Sequence, residues 1–190
     1  MTRHDKIQLI ESCVRKNQLV RMYFRYEKPY RYYYPSAVNA LLFLGQEEDD
    51  FLLDGYHIRR IRDLEKVEIK DDLCAQINIW NQVADGIRNP GVDISSWQSV
   101  LQSPVLQNTC VIIEDDYSET YEIGFIRKAC KQYLLLDSFD ADGIFEANPV
   151  RIPYSAITHL AWNTRYALNW HHYLRSHSML PAAVSCPDSV

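Results

Sequence analysis

A chain of 190 residues, 47% hydrophobic and 24% charged, holds enough apolar material for one large core or two small ones, so it belongs among globular proteins. A net charge of −5 argues against a protein that coats nucleic acid, which wants a basic surface. No run approaches the roughly 20 apolar residues of a membrane span, and Arg3, His4, Asp5 and Lys6 open a mixed-charge segment unlike a signal peptide, so the expectation is a cytoplasmic protein without a membrane partner.

The chain begins with a helical stripe, Ile7, Leu9, Ile10 and Val14 with Cys13 beside it, which predicts a helix from Asp5 to Lys16 capped by Thr2 or Asp5. From Leu19 the period changes to that of a strand through Phe24, and the aromatic stretch Tyr30 to Tyr34 reads as its hairpin partner, ended or bent by Pro35. Ala40 to Leu44 is an apolar strand, and Glu47 to Asp50 is expected as a solvated loop. Phe51 to Leu53, Ile58 to Ile61 and Lys66 to Ile69 complete a first sheet, with a short turn at Arg62-Asp63-Leu64.

Between Asp71 and Asn108 the pattern is helical. Asp71-Asp72 starts a face of Leu73, Ile77 and Trp80 that ends near Gly86, and Ser95 or Ser96 caps a second short helix through Trp97, Val100 and Leu101, closed by Pro104. Trp80 and Trp97 would be costly to leave in water, so a packed connector is expected. Strands then return at Cys110 to Ile113, Tyr121 to Phe125 with Gly124 among them, Tyr133 to Leu136, Val150 to Ile152 and Ile157 to Ala161. A last helix is predicted from Arg165 to Leu174, and residues 176–190 are expected as a flexible tail.

The two β segments overlay. At a shift of 91, Val20 falls on Val111, Met22 on Ile113, Tyr26 on Tyr117, Tyr30 on Tyr121 and Leu44 on Leu135; at a shift of 93, Leu64 falls on Ile157 and Val67 on Leu160. Each copy is five short strands with a tight step before the last, and about 50 residues of that kind bend into a small barrel. The other reading is a single irregular α+β domain. The halves are electrostatically unlike: residues 1–70 carry 13 Lys and Arg against 11 Asp and Glu, and residues 71–190 carry 7 against 14.

The segment Thr109 to Ala161 resembles an Sm-like barrel in its Tyr121-x-x-Gly124 strand, its Tyr133-Leu134-Leu135-Leu136-Asp137 strand and the Ile152 to Ile157 step. Leu19 to Ile69 looks like a more divergent copy preceded by a helix. The whole chain is also similar to bacterial proteins with paired barrels of this type, which share a Phe-Asp-x-Asp-Gly loop and a Thr-Arg-Tyr-x-x-x-Trp-x-x-Tyr tail, here Phe139 to Gly143 and Thr164 to Tyr173. The resemblance implies a mainly β fold with short helices: two small five-stranded Sm-like (SH3-like) barrels, residues 1–70 and 109–175, joined by a helical connector at 71–108. It does not carry over RNA-binding residues. Ala129-Cys130-Lys131-Gln132-Tyr133 stands where an Asp and Asn loop would read a base, and Asn148-Pro149-Val150-Arg151 stands near the place of the second motif's Arg-Gly pair.

The strongest independent hint of a surface is the hairpin Arg21 to Tyr34, where Arg21, Arg25, Lys28 and Arg31 interleave with tyrosines such as Tyr32. Basic side chains neutralise phosphates and aromatic faces stack on bases. The plainer reading is a hairpin with one buried aromatic face. Arg59, Arg60 and Arg62 are a second basic cluster, able to extend the first or simply to pair with Asp54, Asp63 and Glu65.

His171-His172 lacks a ligand partner at helical spacing, and Asp137, Asp140 and Asp142 lack the Glu that completes a calcium loop. Five cysteines, Cys13, Cys74, Cys110, Cys130 and Cys186, with no CxxC, disfavour a disulfide framework or a zinc site and read mostly as core thiols, with Cys186 exposed in the tail. No catalytic set, metal site or cofactor motif emerges. The sequence leads to a non-catalytic binding or assembly protein, by self-association or with a protein partner, with single-stranded RNA as the alternative ligand.

Overall fold

A computed structural model describes residues 1–180, so of the tail expected over 176–190 only 181–190, with Cys186, lie outside the described residues; Ser176 still belongs to the last helix and Leu180 packs against the core, which a flexible tail would not do. The described residues are mainly β, with ten strands and four short α-helices. The opening helix α1, Arg3–Lys16, is set by a capping box in which the Thr2 hydroxyl accepts from the Asp5 amide and the Asp5 carboxylate accepts from the Thr2 amide. It ends at Asn17 in the left-handed conformation.

The strands of the first half are β1 (Val20–Phe24), β2 (Arg31–Val38), β3 (Leu42–Asp49), β4 (Leu52–Arg60) and β5 (Leu64–Ile69). Those of the second are β6 (Cys110–Asp115), β7 (Thr120–Ala129), β8 (Tyr133–Ser138), β9 (Val150–Pro153) and β10 (His159–Trp162). Helices α2 (Leu73–Trp80) and α3 (Trp97–Leu101) lie between the halves, and α4 (Arg165–Ser176) follows β10. All ten strands form one antiparallel sheet in the order β5-β1-β2-β3-β4-β10-β6-β7-β8-β9. The pairing of β4 with β10 is the seam at which the two halves meet.

Pro35, expected to end or bend its strand, bends it: β2 runs through it with a register shift against β3 between Pro35 and Ala37. Two other expectations fail for identifiable reasons. The acidic run is not a solvated loop, since Glu47, Glu48 and Asp49 belong to β3 and pair with β2 or β4. Glu48 is buried, and its carboxylate accepts from the Phe51 amide to close the β3–β4 turn. Trp80 is 82% exposed, with Leu73 and Ile79 also exposed, so the α2 face expected to pack does not.

The rest of the connector does pack: Val92, Ile94, Val100 and Leu101 are buried, and Trp97 leans on the same cluster. That cluster joins Leu44 and Ile58 of the first half to Ile113, Leu136, Leu160 and Trp162 of the second, so the seam shares one core. Burial removes apolar surface at roughly 25 cal/mol per Å2, and here it couples halves that local pairing alone would leave separable. A second cluster lies between α1 and β1, β2 and β5 around Ile10, Cys13, Met22 and Tyr33. A third lies beneath α4 around Ile112, Phe125, Phe139 and Leu174.

Two glycines hold backbones close. A Cβ on Gly124 would sit 2.1 Å from the Asp137 carbonyl oxygen, so β7 and β8 cross there only without a side chain. Gly55, at φ +71°, turns beside the seam, and a Cβ there would lie 2.5 Å from the Thr164 nitrogen and 2.6 Å from the Trp162 carbonyl oxygen. Among the described residues no helix is long and apolar enough to cross a membrane.

Candidate functional site

Strand register builds a polar row across the seam. Phe43 of β3 lies opposite Arg59 of β4, Arg59 opposite His159 of β10, His159 opposite Glu114 of β6, and Glu114 opposite Tyr121 of β7. The next row on the same face reads Gly45, His57, Ala161, Ile112 and Ile123. Because side chains alternate with period two, His57 and Arg59 share a face. His57 lies diagonally against His159 beside the small Ala161, while the Phe43 ring fills the space over Gly45.

The two imidazoles meet with His57 Nδ1 2.9 Å from His159 Nε2. Their ring centroids are 5.1 Å apart at 12° between planes. That separation fits rings joined nitrogen to nitrogen in nearly one plane rather than stacked face to face. His159 Nδ1 reaches Glu114 Oε2 at 2.6 Å. At the other end His57 Nε2 lies 2.9 Å from the Asp54 carbonyl oxygen and 3.4 Å from Glu47 Oε2. Burial pushes both histidines well below the usual imidazole range, and the neighbouring imidazole adds to this at His57, as do Arg59 and Arg31 at His159. Both rings are therefore held short of a full positive charge.

Arg59 is only 2% exposed and its charge is met on several sides. Its Nε donates to the Tyr33 hydroxyl at 2.9 Å, Nη1 lies 3.1 Å from Glu27 Oε2, and the guanidinium sits over the Phe24 ring. Arg31 completes the arrangement, with Nε 2.7 Å from Glu27 and Nη1 3.2 Å from Glu47. Burial raises the Glu47 carboxyl to about 7, against the opposing pull of Arg31 and Arg59. These groups line a pocket of about 620 Å3, closed towards α4 by Thr164 and Tyr166. Arg165 ties that helix down, bonding Asp49 at 2.5 Å and lying 3.4 Å from Asp54. Chemically the pocket can hold and relay a proton, and its wall presents carboxylates already met by arginines. Among the described residues no group of three or more His, Cys, Asp or Glu could hold a metal ion.

The basic residues singled out from sequence divide by partner into three groups. Arg21 lies on the β1–β2 face with Tyr32, over the rings of Tyr30 and Tyr32 and 3.6 Å from Asp72. Arg31 and Arg59 belong to the pocket. Arg25, Arg60 and Arg62 converge on buried Asp63, Arg60 most closely at 2.5 Å, while Arg60 Nη1 also donates to the Ser155 carbonyl oxygen of the other half. Lys28 is exposed and makes no ion pair among the described residues. Buried Arg59 pairs with Glu27 rather than with Asp54, Asp63 or Glu65, whereas Arg60 and Arg62 both lie within 4.0 Å of Asp63.

Elsewhere, His171 packs edge-on against Phe125, and the Asp140 carboxylate accepts from the Asp142 and Ile144 amides within its own turn. Cys13 and Cys110 are core thiols as expected, whereas Cys74 is exposed on α2. Sequence reasoning missed His57, His159, Glu114 and Glu47. The available signal was a histidine beside an apolar strand residue in each half, His57 before Ile58 and His159 before Leu160. No protein-family model, curated protein or solved structure matches the chain.

Proposed function

We propose that the protein is a non-catalytic assembly module, two tandem Sm-like barrels that associate with further copies of the chain edge to edge. The observation that supports this is the strand order. The first half runs fifth, first, second, third, fourth, and the second half repeats it as β10-β6-β7-β8-β9. The seam joins the fourth strand of one half to the fifth strand of the other. The outer strands left over are β5 and β9, a fifth strand and a fourth, each with one strand neighbour.

An exposed strand edge is a template for another chain. Pairing β9 of one molecule with β5 of the next would repeat the internal junction, and such a head-to-tail contact closes into a ring or runs on as a filament. In the seam Ile58 faces Leu160. Setting buried Ile152 against buried Val67, as one buried residue meets another in the seam, puts Arg151 opposite Glu68, a pairing of opposite charges.

Size-exclusion chromatography with light scattering tests the reading. Mass should rise with concentration, fall in Arg151→Glu, and recover in the double variant Arg151→Glu/Glu68→Arg. A strict monomer at high concentration would sink it. The RNA reading has weaker support, because Arg21, Arg25, Arg31, Arg59, Arg60 and Arg62 each lie within 4.0 Å of a carboxylate and would have to give up that partner to meet a phosphate.

A further inference from the structure

A carbonyl oxygen only accepts, so His57 Nε2, 2.9 Å from the Asp54 carbonyl, carries a hydrogen. In a neutral imidazole the other nitrogen is then bare, so His57 Nδ1 accepts from His159 Nε2–H. His159 Nδ1 is bare in turn, yet it faces Glu114 Oε2 at 2.6 Å. Two acceptors cannot share that distance without a hydrogen between them. One extra proton therefore resides between Glu114 and His159.

We propose that Glu114, His159 and His57 form a one-proton relay across the β4–β10 seam, and that releasing this proton to the pocket flips both imidazoles together from the Nε2–H to the Nδ1–H tautomer. The protons balance. The Glu114 proton settles on His159 Nδ1, the His159 Nε2 proton passes to His57 Nδ1, and the His57 Nε2 proton leaves to pocket solvent. Three hydrogens become two, and Glu114 becomes a carboxylate accepting from His159.

The consequence is local and functional. His57 Nε2, on the pocket side, turns from a donor into an acceptor, so its 2.9 Å contact with the Asp54 carbonyl oxygen must open when the proton leaves. The Glu47 carboxyl at 3.4 Å can then donate to it while it remains protonated. Burial favours that protonated form, holding the Glu47 carboxyl up to about 7. The other groups set the balance from every side. Arg59 beside His57 on β4 and Arg31 from β2 oppose a positive ring, Tyr33 packs 5.6 Å from His57, and Asp54 lies at the open end of the chain. Glu27 neutralises both arginines, while Asp116, Tyr121 and Tyr166 line the same pocket. The relay draws one histidine from each half, so it exists only where the halves are joined.

Long-range 15N–1H correlation spectra of the histidine rings, recorded on the full chain from pH 5 to 9, test the proposal. His159 Nε2 and His57 Nε2 should be protonated at low pH. In one shared transition both should become bare as His57 Nδ1 gains a hydrogen. In Glu114→Gln the side-chain amide donates to His159 Nδ1 without needing the extra proton, so both rings should stay Nε2–H throughout. Separate midpoints for the two rings in the wild-type protein, either ring keeping one tautomer over the whole range, or a wild-type transition in Glu114→Gln would each overturn it.

Discussion

Gly55→Ala measures how tightly the two halves are joined. The residue sits at φ +71°, which for an L side chain costs about 1–2 kcal/mol. Its new methyl would also meet backbone, the Thr164 nitrogen at 2.5 Å, the Trp162 carbonyl oxygen at 2.6 Å and the Asn163 carbonyl carbon at 2.7 Å. Backbone on the far side of the seam cannot swing away like a flexible side chain, so overpacking adds about 1–3 kcal/mol. The sum, about 2–5 kcal/mol, is a large part of the roughly 5–15 kcal/mol that holds a typical domain folded. Gly91→Ala is the matched control, with the same φ of +71° and nothing within 4 Å of its added methyl. Both substitutions restrict the unfolded chain alike, so that contribution cancels in the comparison. Urea unfolding should place Gly55→Ala about 1–3 kcal/mol below Gly91→Ala, and at roughly 2–4 °C per kcal/mol the melting temperatures should separate by about 2–12 °C. Equal losses in the two variants would refute the close approach at the seam.

Further outcomes follow from burial and charge. Trp162→Ala should cost about 3–5 kcal/mol in urea unfolding because the indole is fully buried in the shared core, whereas Trp80→Ser should stay within about 0.5 kcal/mol. The folded protein binds a proton at Glu47 that the unfolded chain gives up between pH 4.5 and about 7, so that carboxyl makes stability fall as pH rises through this window, by on the order of 3 kcal/mol. The depressed histidines act in the opposite sense: the unfolded chain takes up protons below 6.5 that His57 and His159 refuse, and stability is lost as pH falls. In Glu47→Gln the Glu47 contribution should vanish from the profile; a stability profile unchanged from wild type between pH 5 and 8 would show that Glu47 does not hold the proton. Arg60→Ala strands buried Asp63 without its nearest cation and should cost about 3–5 kcal/mol, against less than about 1 kcal/mol for exposed Arg62→Ala.

Sequence alone determined the local elements, because their causes are local. The capping box at Thr2 and Asp5 starts α1, Ser96 caps α3, and two-residue alternation marks β1 with every second side chain buried. What tertiary structure decided was which groups become neighbours. His57 and His159 are 102 residues apart and meet only because the β4–β10 register sets them on adjacent rows of one face. The same register buries Arg59 beside Glu27, so a residue that looks like a surface cation in sequence becomes an internal one. Glu47 and Glu48 looked like a solvated loop because charge normally seeks water. They enter a strand because paired neighbours, together with Arg31 for Glu47 and the Phe51 amide for Glu48, replace what water would have supplied. Strand period is written in a few adjacent residues, whereas register across a seam depends on the whole sheet.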